Sequence, residues 1–175
     1  MFRDVETALA ENRAILRWLV ERLVETSLRS RRIQLFRDFG RALGGHIRAI
    51  DEVLIPALKT HGWKDVPMEA LLRHVKLKRQ LAELLAMGRD EARLDAALLS
   101  FLAQFEAHQE QERQVLVPLI HKLLGEDEAA SLGAQVEAQF GMLFDTAPDN
   151  TNAGDVRGLV DEARIVLSTL PTQSP

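Results

Sequence analysis

Apolar residues recur at helical spacing from the start of the chain. Val5, Leu9, Ile15, Leu16, Leu19, Val20, Leu23 and Val24 predict one helix from about Asp4 to about Glu25. Thr26 to Ser30 is a short break. A second, longer helix follows from Arg31 to Lys59, with Ile33, Phe36, Phe39, Leu43, Ile47, Ile50, Leu54 and Leu58 along one stripe. Pro56 should kink its last turn, because it cannot donate to the carbonyl of Glu52. Thr60 to Pro67 reads as a loop, and Pro67 is placed to start a third helix that runs to about Ala86. Met87 to Asp90 is a tight connection. The fourth helix covers Glu91 to Leu124 and is ended by Gly125, and Glu126 to Leu143 predicts a shorter fifth. Thr146 to Gly154 is a polar loop, Asp155 to Leu170 a last amphipathic helix with Asp155 as N-cap, and the terminal PTQSP is expected to be disordered. No β-alternation of useful length interrupts this pattern. The class is all-α, and four long helices with short joins predict an antiparallel up-down-up-down four-helix bundle with additional C-terminal helices. Residues 1–145 form the bundle and its fifth helix, and 146–175 the loop, last helix and tail.

The second half of the bundle echoes the first. The offset that takes His46 to His108 also takes Val53, Leu54, Ile55 and Pro56 to Val115, Leu116, Val117 and Pro118. It takes Phe39 to Phe101, Leu19 to Leu81, Leu23 to Leu85 and Asn12 to His74. Two helical hairpins of one plan are therefore expected, packed with pseudo-symmetry. Gly40 and Gly44 lie one turn apart within the second helix, and Gly45 follows. A mid-helix glycine costs about 1 kcal/mol relative to alanine, so the pair points to a close approach by a neighbouring helix.

Polar residues at echoed positions carry the candidate chemistry. On an α-helix His108 and Glu112 lie about 40° apart around the axis and about 6 Å along it, so both can face the same way. An imidazole and a carboxylate on one face make half of a metal site or a proton-handling pair. The second hairpin presents His74, His108 and Glu112, and the first presents Asn12, His46 and Ile50. A lone helical histidine is more often a satisfied core or surface residue than a ligand. Polar groups collected inside a bundle need partners, and a metal satisfies several at once. His61 and His121 stand outside the echo and read as surface residues.

The bulk properties narrow the function classes. The chain has 175 residues, 46% hydrophobic and 27% charged, an ordinary balance for one globular domain. A net charge of -4 argues against nucleic-acid binding driven by phosphate attraction. The basic cluster Arg29, Arg31 and Arg32 reads as a solvated helix start. The lack of cysteine excludes disulfides, iron–sulfur clusters and thiolate zinc sites. No apolar run spans a bilayer, and MFRDVETALAENR is charged from its third residue and is no secretory signal. The expectation is a cytoplasmic protein with no membrane partner.

The segments GHIRAIDEVLIPAL, LLRHVKLKRQLAELL and AHQEQERQVLVPLIHKLL resemble the hemerythrin-like family, the HHE cation-binding domain. The likeness covers about Asp4 to Leu143. In that family two helices each carry a His, a carboxylate one turn later and a short apolar run ending in Pro. The resemblance implies a bundle holding non-haem iron, His-ligated and carboxylate-bridged, for binding dioxygen or nitric oxide, for storage or for redox sensing. His46, His74, His108 and Glu112 match ligand positions. Asn12 stands where a His is expected, Ile50 where a bridging carboxylate is expected, and Lys78 where oxygen-carrying members have a further His. Isoleucine cannot ligate, and Asn is a poor iron ligand beside imidazole. Asp51 and Glu52 are the candidate substitutes. On an ideal helix they lie about 140° one way and about 120° the other way from His46, so either needs local distortion or a long reach.

Three functions compete on these grounds. The first is a metal-binding hemerythrin-like protein with an incomplete or mononuclear site of His74, His108 and Glu112, with or without His46, taking iron or else manganese or zinc. The second is a metal-free, degenerate bundle that regulates a protein partner. The third, an enzyme, ranks lowest: no nucleophile constellation is present and no substrate is indicated.

Overall fold

A computed structural model describes residues 3–27, 29–64, 68–86 and 91–145. The predicted loop at Thr146 to Gly154, the helix from Asp155 to Leu170 and the PTQSP tail lie outside the described residues, as does the Met87 to Asp90 connection. Every regular element among the described residues is helical. They are α1 (Val5–Glu25), α2 (Arg29–Arg48), a π-helical segment (Ala49–Leu54), α3 (Ile55–Thr60), α4 (Met68–Ala86), α5 (Glu91–Leu123) and α6 (Glu126–Asp145). None of them is long and apolar enough to cross a membrane.

Local chemistry sets the ends. Asp4 caps α1: its Oδ1 accepts the Thr7 N–H at 2.8 Å. That N–H holds the Asp4 carboxyl below its ordinary value. At the other end Thr26 Oγ1 donates to the Arg22 carbonyl at 2.7 Å. The basic cluster lies inside the first turn of α2 rather than in a break before it, with Arg32 paired to Asp95 of α5 at 2.6 Å.

The second predicted helix is continuous but not uniform. A kink was expected at Pro56, yet the helix widens from Ala49 onward, a full π turn ahead of it, and Ile55 N–H bonds back to Ile50 O. Pro56 lies in the first turn of α3, where its missing donor is tolerated. Its echo Pro118 sits inside an α5 described as α-helix throughout, so proline alone does not set the π register.

In packing, α1 touches α2 and α5, and α4 touches α2 and α5, which links the four long helices in a closed cycle. The fifth predicted helix is present as α6, and it lies along α1, α2 and the π segment. Gly133 makes its approach to α1 possible, since a Cβ there would run into the backbone of Arg3 and Asp4. Gly40 bears out the close approach expected of it, its Cβ position being 3.2 Å from Leu81 of α4, whereas Gly44 has open space beside it.

The apolar interior is divided in two. One cluster holds Ile15, Leu19, Leu23, Phe36, Phe39, Leu43, Leu81, Phe101, Phe105 and Phe140. The other holds Val5, Leu9, Ile50, Leu54, Leu58, Leu116, Ile120, Leu132 and Val136. The echoed Phe39 and Phe101 meet edge to face at 5.9 Å, and Phe39 meets Phe105 at 5.2 Å. Along α1, α2 and α5 buried polar residues lie where one cluster gives way to the other: Asn12 in α1, His46 in α2, and His108, Gln109 and Glu112 in α5.

Candidate metal centre

Burying that polar layer is costly unless its groups find partners. Glu112 finds several. Its Oε1 accepts from Arg13 Nη1 of α1 at 3.2 Å, and its Oε2 lies 3.2 Å from His46 Nε2 of α2. His108 Nε2, one turn earlier on α5, lies 3.4 Å from the same Oε2 without the alignment of a hydrogen bond. Burial alone would raise the Glu112 carboxyl. The charge of His46 and the polar contacts of both imidazoles outweigh it, so the group is held well below the usual carboxylate range.

His74 enters from α4. Its ring stands edge to face with that of His108, centroids 4.9 Å apart. Donor atoms of His74, His108 and Glu112 all lie within 4.8 Å of one another, and all three residues are buried. His74 Nδ1 is 2.7 Å from Asp51 Oδ1. With Nδ1–H donating to that carboxylate, the ring's lone pair is on Nε2, the tautomer a ligand needs.

The π segment explains how Asp51 gets there. On an α-helix Asp51 and His46 diverge. The wider π turn carries roughly one extra residue per turn, which brings Asp51 round toward α4. Asp51 thus meets His74 and does not join the His74, His108 and Glu112 group. Glu52 is exposed and paired with Arg48 at 3.2 Å. Ile50 is buried in the second apolar cluster and lines the cavity beside the donors. Lys78 does not point a cation at the site: half-exposed, it lies 3.8 Å from the far oxygen of Asp51. The two histidines read as surface residues hold α6 and α1 at their edges. His61 Nε2 is 2.7 Å from Glu128, and His121 Nε2 is 2.7 Å from Glu6.

The donor set fits a metal on a second count. His46 Nδ1 and His108 Nε2 are buried without a hydrogen-bond partner, and an imidazole nitrogen carrying a lone pair can be satisfied by an ion. The amide nitrogens Asn12 Nδ2 and Gln109 Nε2 are orphaned too, but they can only donate and do not speak for a cation. A cavity of about 190 Å³ reaches this layer, lined on one side by Ile50, Ile55, Val115 and Leu116 and bordered by Trp63 and Arg73.

No family model, curated protein or solved structure matches the chain.

Sequence reasoning missed Arg13. Its signal was faint: Glu11, Asn12 and Arg13 interrupt the apolar residues of ALAENRAIL, and a buried Arg seldom lacks an acidic partner. Spacing on a single helix could not identify that partner on α5.

Proposed function

We propose that this chain is a hemerythrin-like metal-binding protein, an antiparallel four-helix bundle with α6 laid against it, whose site keeps one half of a duplicated ligand set. The reading rests on the convergence of His74, His108 and Glu112 donors within 4.8 Å in a buried layer. His46 on the same Glu112 oxygen is the candidate fourth donor. Imidazole and carboxylate without thiolate suit Fe(II), Mn(II) or Zn(II), and iron is the first choice on the resemblance. A bound ion would act as a Lewis acid with room for a small ligand from the cavity, such as dioxygen or nitric oxide. Of the chain's own groups, Asp51 holds His74 in the ligating tautomer, and Ile50, Val115 and Leu116 keep the approach apolar. Sensing or storage is the role that the resemblance implies for such a site.

Metal analysis tests this. Protein purified without added metal should retain iron, manganese or zinc, and the double variant His108→Ala, Glu112→Ala should retain none. Full retention by the double variant would place the metal elsewhere.

A second reading is a metal-free bundle acting through a protein partner. The Arg13–Glu112 pair favours it, because it satisfies half of the carboxylate without an ion. Leu72 and Val75, both more than half exposed near one another on α4, offer an apolar contact.

A further inference from the structure

We propose that Arg13 is a positioning residue that confines Glu112 to one metal-facing oxygen and so limits the site to a single divalent ion. The inference rests on the metal-binding reading above and says how many ions that site takes. A carboxylate that bridges two ions must give one oxygen to each. Here the oxygens are already divided. Oε1 accepts from the Arg13 guanidinium at 3.2 Å, and only Oε2 faces the imidazoles of His46 and His108. The Arg13 side chain is 12% exposed and that of Glu112 3% exposed, so the pair is shielded from water and from screening salt.

The position of Arg13 matters as much as its charge. It stands on α1 next to Asn12, on the side of the site that lacks two of its three echoed ligands. A second cation would have to settle beside Glu112 Oε1, where a fixed positive charge already sits. Guanidinium is always charged and does not yield to a metal by losing a proton. Arg13 therefore occupies the place of the second ion in charge as well as in space. The same charge repels the first ion, so its removal should strengthen binding even though Glu112 loses an anchor. A merely structural role predicts the reverse.

The test is a titration of metal-free protein with Co(II), read by calorimetry. The native chain should bind one Co(II). Arg13→Met keeps most of the aliphatic stem and removes the charge, and should bind Co(II) about tenfold more tightly, as expected when a cation is taken from beside another. Arg13→Lys restores a charge and should stay within about threefold of the native affinity. If Arg13→Met does not fold by circular dichroism, Arg13→Gln takes its place with the same expectation. Two Co(II) ions bound by the native chain would overturn the proposal, and so would unchanged or weaker binding by the neutral variant. In both cases the metal-binding reading stands. No Co(II) bound by the native chain would instead remove that reading, and this one with it.

Discussion

Glu112 is the residue on which three helices agree. Arg13 reaches it from α1 and His46 from α2, while His108 approaches from its own helix. Removing one member of a buried charge pair typically costs about 3–5 kcal/mol, because the other is left uncompensated. Glu112→Gln, measured by urea unfolding in chelator at pH 7, should lose stability of about that order. The pH dependence follows from the direction of the shift. A carboxyl held below its ordinary value of 4.5 stabilises the fold fully above that pH. Its contribution is lost progressively as the pH falls toward the folded-state value. The gap between wild type and Glu112→Gln should therefore shrink as the pH falls below about 4.5. A gap that widens on acidification would sink this account. His74, His108 and Glu112 were legible as candidates from spacing and echo, because both are read along the chain without knowing which helices pack together. Arg13 was not, because its partner is fixed by how α1 packs on α5.

Helix positions were readable for a related reason. A 3.6-residue period survives across some twenty residues of α1 or α5, so the apolar stripe reports the helix and its burial. A π turn adds one residue over a stretch as short as Ala49–Leu54. It leaves no period of its own, and its result is visible only in where the following side chain points. Here that side chain is Asp51, which meets His74 at 2.7 Å instead of standing out to solvent. Groups that orient a metal-bound histidine typically contribute 10–100-fold to affinity. Asp51→Ala should accordingly weaken Zn(II) or Co(II) binding by roughly that factor in a competition titration, with one-ion stoichiometry preserved. Loss below threefold would show that His74 is held by packing alone. The expectation that Asp51 stands in for a missing ligand required a departure from the α-helical register. The distortion it required is present, but it turns the carboxylate to the imidazole on α4.

At the scale of the molecule, two apolar clusters are separated by the polar layer, and α6 spans both by placing Phe140 in one and Leu132 and Val136 in the other. The helical class was legible in the sequence. The place of α6 was not, since an amphipathic helix does not say which groove it will fill. A ligand bound in the dividing layer ties the clusters together only in the folded state, so it stabilises by mass action. At a free metal concentration 100 times its dissociation constant, the gain is about 2.7 kcal/mol. Thermal unfolding in chelator should fall several degrees below unfolding with added Zn(II) or Fe(II) in anaerobic buffer. Identical curves would favour the metal-free reading. The two tryptophans divide along the same line: Trp63 borders the cavity, and Trp18 lies in the other cluster with Arg22 over its ring at 5.4 Å. The molecule thus carries one fluorophore at its site and another within its distal core. Replacing Trp18 with Phe leaves an emission whose quenching reports occupancy of the site, without any attached dye.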